Sequence, residues 1–317
     1  MAISKKTQFD IVIAGGGMAG STLAWALLKA RPELQIAIIE QQKETISPVS
    51  FDSRSIALAR ASAQLLEQWG LWAELKHHAC AIETIHVSDR GHFGKTRLTA
   101  EEYLQDALGY VIEVEHIGVL LAQKLQQKNN VTWFSPNTIT QLNPSETAQN
   151  LLLHDGTELS CRLLLIAEGG MSPTRNLAGF NVTEQPYQQS AVIANLALAQ
   201  QHQHIAYERF TEHGPIALLP LSQDRYSLVF TTTAEHAAEL MQQTDSEFLA
   251  SVQQAFGYRA GIFATSGSRA SYPLALRRAD SCVRHRTALL GNKIGSAECR
   301  ERVCKGVGGE VLGVDAL

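Results

Sequence analysis

The chain has 317 residues, 45% of them hydrophobic and 18% charged, with a formal net charge of -4. That composition suits a globular protein large enough for two lobes. The small negative charge, with basic residues only in short pairs such as Lys5-Lys6 and Arg277-Arg278, gives no reason to expect nucleic acid binding.

Five scattered cysteines (Cys80, Cys161, Cys282, Cys299, Cys304) lack CxxC spacing, which favours a reducing compartment over a disulfide framework. Residues 1–8 contain no apolar core of a secretory signal, and no apolar run is long enough for a bilayer. The expected location is cytoplasmic, with peripheral membrane contact left open.

In chain order, residues 9–14 read as an apolar strand that runs into Gly15-Gly16-Gly17-Met18-Ala19-Gly20 and then a helix over 21–30. A second apolar run, 36–39, ends on Glu40. Gly15 permits the tight turn, Gly17 lets the backbone approach a diphosphate, and Gly20 lets helix and strand close up. The helix N-terminus offers unpaired N–H groups to the phosphates. Glu40 is placed to accept from a ribose hydroxyl, which favours NAD or FAD over NADP at this site.

Residues 52–70 read as a loop and then a helix, with Ile56, Ala59, Ala63, Leu66 and Trp69 on its apolar face and Gly70 as its stop. Strands are expected at 82–87, 111–114, 131–134, 139–142, 151–153 and 162–167, and a helix over 117–125. His154-Asp155-Gly156-Thr157 is a hairpin turn signal. Beyond Pro186, strand-like runs at 191–198, 206–210, 216–220 and 226–230 precede helices over 234–243 and 246–256, the second with Thr244 and Glu247 at capping-box spacing. Residues 286–291 read as a strand returning to the first lobe. The expected fold is α/β, a Rossmann-like lobe with an inserted, mostly antiparallel β-sheet lobe. The first lobe takes residues 1–80, 105–182 and 275–292, the second 81–104 and 183–274, and 293–317 form an aberrant tail.

The strand at 162–167 ends in Glu168-Gly169-Gly170-Met171-Ser172-Pro173-Thr174-Arg175, a polar cluster at the edge where the first motif holds a diphosphate. With these two motifs the chain resembles the FAD-dependent aromatic hydroxylases, flavoprotein monooxygenases of the p-hydroxybenzoate hydroxylase type. Gly15, Gly17, Gly20, Glu40, Gly169, Ser172 and Arg175 match that family's pattern, while Glu168 stands where Asp is usual. Within the family the resemblance is to the ubiquinone-biosynthesis hydroxylases. It is carried by Phe51-Asp52-Ser53-Arg54-Ser55-Ile56-Ala57-Leu58, Val87-Ser88-Asp89-Arg90-Gly91-His92, Glu208-Arg209-Phe210-Thr211, His213-Gly214-Pro215 and Ser271-Tyr272-Pro273-Leu274.

The resemblance implies FAD as cofactor, NAD(P)H as electron donor, and O2 and a prenylated phenol as substrates, with other ubiquinone-biosynthesis proteins as candidate partners. It assigns cofactor binding to Gly15, Gly16, Gly17, Met18, Ala19, Gly20, Glu40, Arg54, Glu168, Gly169 and Arg175. No catalytic side chain is assigned, and Cys299 and Cys304, without a further His or Cys nearby, give no metal site. Phe210, Pro215, Leu218 and Tyr272 are candidates for an apolar substrate pocket.

After Leu290-Gly291-Asn292 the sequence departs from the family pattern. Residues 293–317 therefore read as a truncated or frameshifted end, and weak flavin retention with little or no turnover is expected. The rival readings are a nicotinamide-only dehydrogenase, a catalytically impaired remnant or non-catalytic assembly subunit, and a sister ubiquinone-pathway hydroxylase acting at another ring position.

Overall fold

The computed structural model describes residues 7–43 and 50–290. The chain opens with β1 (Thr7–Ala14), α1 (Met18–Ala30) and β2 (Ile36–Ile39). It continues through β3 (Ser55–Ala59), α2 (Arg60–Gln68), α3 (Trp72–Leu75), β4 (Cys80–Ile82), β5 (Thr84–Asp89), β6 (Lys95–Thr99), β7 (Gly109–Glu113) and α4 (Val114–Gln126). Then come β8 (Val131–Phe134), β9 (Ile139–Pro144), β10 (Gln149–Leu153), β11 (Glu158–Ile166) and α5 (Pro173–Leu177). The next stretch holds β12 (Val182–Leu198), β13 (Ile205–Thr211), β14 (Gly214–Leu221), β15 (Arg225–Thr233), α6 (Ala234–Gln242) and α7 (Asp245–Phe256). The last described elements are β16 (Phe263–Ser266), β17 (Ala270–Ala279), β18 (Val283–Arg284) and β19 (Thr287–Leu289).

Two compact units result. One gathers the described residues of 1–45, 121–187 and 275–317, the other those of 46–120 and 188–274. In the first, β19, β11, β1, β2 and β8 lie side by side and parallel. Strands in such a sheet are covered on both faces and so need continuous apolar runs. Accordingly Val12, Ile13, Ala14, Ile36, Ala37 and Ile38 have no exposed surface. The register places Leu289, Ile166, Ala14, Ile39 and Phe134 in one row across the sheet. All five strands therefore end at the same edge. The chain goes from β1 through α1 to β2 on one side, while β11 flanks β1 on the other, which makes the carboxyl end of β1 a topological switch point.

In the second unit, an eight-stranded sheet runs β16-β12-β15-β14-β13-β5-β6, with β17 also on β12. Along β16 to β6 the pairings are antiparallel except for β13 with β5. Val192, Leu196, Leu218, Leu228 and Phe230 cluster there with Leu240 of α6 and Phe248, Val252 and Phe256 of α7. The capping box at Thr244 and Glu247 is present, with Thr244 N–H donating to Glu247 Oε2 at 2.9 Å. A three-stranded sheet, β3-β7-β4, completes the unit.

Several expectations change. Residues 55–59 form strand β3 against β7, not the start of a helix. The helical spacing of Ile56 and Ala59 with later residues is outweighed by the ladder that β7 offers. The described residues 50–80 and 105–120 group with the second unit, because β3 and β4 pair with β7 and Ile82 and Val111 cluster with Ala206 and Leu221. Strands β6, β16 and β17 had no clear sequence signal. Leu218 is wholly buried in the core beneath the helices, whereas Phe210 and Tyr272 are exposed. The departure after residue 292, with Cys299 and Cys304, falls outside the described residues.

Candidate functional site

Three segments leave the shared edge of the parallel sheet. The first, Gly15 to Gly20, is shaped by backbone proximity. Gly15 has φ of +100°, a conformation strained for any other residue, and a Cβ there would lie 2.7 Å from Ala167 O. A Cβ on Gly20 would collide with Gly15 O, so helix and loop touch at backbone distance. A Cβ on Gly16 would stand 2.7 Å from Cζ3 of Trp133.

Gly17 is different. It caps α1 with φ of -66°, no side chain caps the helix, and nothing lies within 4 Å of where its Cβ would be. Absence of a side chain here serves no internal packing. It leaves the N–H groups of the first helical turn, at Met18, Ala19 and Gly20, without intrahelical acceptors and open on one side. A helix start of this kind can accept an anionic group such as a diphosphate.

The second segment is Glu40, at the end of β2. Its Oε2 accepts the Gly16 N–H at 2.7 Å and its Oε1 accepts the Gln42 N–H at 2.9 Å. The carboxylate thus ties the glycine loop to β2 and retains lone pairs for a ribose hydroxyl. The ring of Trp133, on neighbouring β8, closes this side of the loop, and its Nε1–H is buried without a partner. Sequence inspection missed it, since nothing local marks a tryptophan on a distant strand.

The third segment follows β11. Glu168 accepts the Ser172 hydroxyl at 2.5 Å, the Thr174 hydroxyl at 2.6 Å and the Thr174 N–H at 3.1 Å. Ser172 in turn caps α5 by accepting the Arg175 N–H at 3.0 Å. The Arg175 guanidinium donates through Nη1 to Gly170 O at 3.0 Å, while its Nε is buried and unpaired. Gly169 has φ of +77° and space around it. Glu168, Gly169, Ser172 and Arg175 line one pocket with Arg277 and Leu290. The structure thus brings Gly15–Gly20, Glu40 and Glu168–Arg175 to one edge of one sheet. Their residues fit the adenosine and diphosphate end of FAD.

Arg54 belongs to the second unit and is exposed. The loop before it is firmly held. Asn195 Nδ2 donates to Phe51 O and Ser53 O at 2.7 and 2.8 Å, and Asp52 accepts the Ser268 N–H and hydroxyl, each at 2.7 Å. Arg225, whose Nη2 lies 2.7 Å from Glu113 Oε1 in a buried ion pair, also reaches Phe51 O at 3.4 Å. Asn195, Ser268, Arg225 and Glu113 escaped the sequence reading because their partners are far away along the chain.

Cys80, His202 and His204 bring a sulfur and two imidazoles together. His202 Nδ1 accepts the His204 N–H at 3.1 Å, so the proton sits on Nε2, which donates to Leu221 O at 2.7 Å. That tautomer leaves His202 no lone pair for a cation. Burial, reinforced by Glu83, Glu113 and Asp224, pushes the Cys80 thiol up to about 12, so it stays neutral. The trio reads as a satisfied core cluster.

Comparison with known proteins agrees with this geometry. Residues 8–292 match the family model described as FAD binding domain. An uncharacterized Synechocystis protein, slr1300, is 32% identical over 311 residues, spanning 96% of this chain and 72% of that protein. The ubiquinone hydroxylase UbiL of Rhodospirillum rubrum is 30% identical, over 89% of this chain and 66% of its own length. The human ubiquinone biosynthesis monooxygenase COQ6 is 29% identical, over 86% and 62%. The chain therefore spans about two thirds of these relatives.

In fold, it is similar to pqsL, a probable FAD-dependent monooxygenase from Pseudomonas aeruginosa, with a TM-score of 0.75 at 22% identity over 92% of this chain and 80% of the other. The matched family, the two motifs on one sheet edge and the hydroxylase relatives agree: the chain belongs to the FAD-binding-domain family, among the FAD-dependent aromatic hydroxylases, which are flavoprotein monooxygenases.

Proposed function

We propose that this protein hydroxylates a prenylated phenol in ubiquinone biosynthesis, in the manner of 2-octaprenyl-6-methoxyphenol hydroxylase, using NAD(P)H and O2. The observation that carries the reading is the convergence of Gly15–Gly20, Glu40 and Glu168–Arg175 on the edge shared by β1, β2 and β11. The identity to UbiL and COQ6 supplies the substrate class. The chain's residues would hold FAD through the amides of Met18, Ala19 and Gly20 on the diphosphate, Glu40 on the ribose, and Gly169 and Arg175 beside the diphosphate. Arg54 is assigned a cofactor contact on the strength of the resemblance.

FAD supplies the redox chemistry when bound, passing electrons from NAD(P)H to O2 so that one oxygen atom enters the ring. Protein groups then position the phenol and exclude water. A water-poor substrate would be drawn from a membrane, so peripheral membrane contact and neighbouring enzymes of the same biosynthesis belong to this reading. Among the described residues no helix is long and apolar enough to cross a membrane.

The test is reconstitution of the chain with FAD, NADH or NADPH, O2 and a short-chain prenylated phenol, followed by mass spectrometry. A ring product with one added oxygen supports the proposal. NADH oxidation without hydroxylated product, on flavin-loaded protein, overturns it in favour of a non-catalytic assembly subunit. Dehydrogenase activity without bound flavin would leave a nicotinamide-only enzyme.

A further inference from the structure

One face of the second unit's sheet carries a concentration of positive charge that the flavin site does not use. The ladder between β5 and β6 sets His86 opposite Arg97 and Ser88 opposite Lys95. The ladder between β13 and β5 sets Tyr207 opposite His86 and Arg209 opposite Ser88. Paired residues point to the same face, so Lys95, Arg97 and Arg209 share it, and Arg90, in the turn after β5, is near enough to act on the charge of Arg209. Arg259, just beyond α7, joins them by donating from Nη1 to His86 Nε2 at 3.3 Å.

None of the five forms a salt bridge among the described residues. Asp89 and Glu208 lie at the opposite parity; Asp89 is engaged by His92 at 2.9 Å and offsets only part of the positive field at Arg209. The Arg209 Nε is buried and unpaired. The local field is strong enough to register on His86, whose imidazole is held below its usual range by burial and then by Arg259, Arg97, Lys95 and Arg209. All this occurs on a chain whose net charge is -4.

Beside the cations the β5–β6 hairpin ends in Arg90-Gly91-His92-Phe93-Gly94, and Phe93 is fully exposed. Tyr258, next to Arg259, is 74% exposed. A projecting phenyl ring beside a field of unpaired cations suits the boundary between lipid headgroups and acyl chains. The cations meet lipid phosphates while the ring enters beneath them.

We propose that the face formed by Arg90, Lys95, Arg97, Arg209 and Arg259, with Phe93 at its tip, docks this protein on an anionic lipid bilayer. It deepens the membrane contact proposed above, and rests on that contact without depending on the identity of the phenol.

The experiment is co-sedimentation of the full chain with vesicles of phosphatidylcholine containing phosphatidylglycerol, against phosphatidylcholine alone, at low and high salt. Binding to the anionic vesicles that weakens with salt is expected. The triple variant Lys95→Gln, Arg97→Gln, Arg259→Gln removes three exposed charges and should weaken it roughly a hundredfold, at about fivefold per cation. Phe93→Ser, which leaves every charge in place, should weaken it roughly tenfold. Both variants alter exposed side chains and should keep the wild-type melting temperature and FAD affinity. Wild-type binding with unaffected variants would overturn this face while sparing membrane contact through another surface. No binding of the wild type to anionic vesicles would overturn both. Capture by polyglutamate without vesicle binding would put an acidic protein in place of the bilayer and equally refute the proposal.

Discussion

Replacing Gly17 with alanine separates cofactor recognition from folding. At φ of -66° alanine is unstrained, and no protein atom lies within 4 Å of the added Cβ. The cost to the fold is that of losing a glycine cap, up to about 1 kcal/mol. The methyl group would occupy the space in front of the unpaired amides of Met18, Ala19 and Gly20. A hydrogen bond to a charged oxygen contributes about 1.5–3 kcal/mol. Displacing a phosphate from one such amide should therefore weaken FAD roughly 10- to 150-fold. Gly20→Ala is the contrasting control, because its Cβ would meet Gly15 O and sit 3.2 Å from Ile13 Cγ2. That variant should lose stability and flavin together. Titration of apoprotein with FAD, read by quenching of flavin fluorescence, gives the affinity, and thermal melting gives the stability. Wild-type affinity in Gly17→Ala, with the fold intact, would refute the assignment of this helix start to the diphosphate.

Ser172→Ala removes both the cap of α5 and a donor to Glu168, and should cost about 1–2 kcal/mol in urea unfolding. An unchanged midpoint would show that the turn is held by Thr174 alone. Arg225→Met strands the buried Glu113 carboxylate and should cost about 3–5 kcal/mol, while the double variant with Glu113→Leu should regain most of it; simple additivity of the two losses would contradict this. Burial pushes the Cys80 and Cys161 thiols up to about 12, so at about pH 8 iodoacetamide should modify exposed Cys282 and spare these two. The sign on stability follows. Unfolded thiols ionise near their ordinary value of 9.0, so their contribution is complete below that pH and falls as pH rises toward about 12. Cys80→Ala should shift alkaline unfolding to higher pH, and a shift the other way would refute the burial argument.

The opening β1–α1–β2 unit was legible because its determinants are close along the chain. Gly15, Gly20 and Glu40 act on one another within 25 residues, as the 2.7 Å bond from Gly16 to Glu40 shows. The antiparallel lobe was legible as a class, through its alternating strands and the capping box at Thr244. What was not legible depends on distant partners. Residues 55–59 carry a helical spacing, and only β7 turns them into a strand. β6, rich in polar residues, becomes a strand because β5 pairs with it. The Phe51–Arg54 loop is identifiable as a motif, yet its anchors Asn195, Arg225 and Ser268 lie more than 140 positions away.

The two acidic residues of the motifs show why a matching pattern is not yet a role. Glu40 and Glu168 were both expected to face the cofactor. In the structure Glu40 first satisfies Gly16 and Gln42, and Glu168 first satisfies Ser172 and Thr174. Each carboxylate organises the turn that presents other groups: the helix amides in one case, Arg175 and Gly169 in the other. This accounts for glutamate at position 168, where the family pattern has aspartate. The carboxylate reaches across its own turn to both the hydroxyl and the amide of Thr174, six residues on. Charge is preserved, the turn is closed by three hydrogen bonds, and Arg175 is set at the lip of the pocket. Glu168 therefore acts by bracing the loop that carries Arg175.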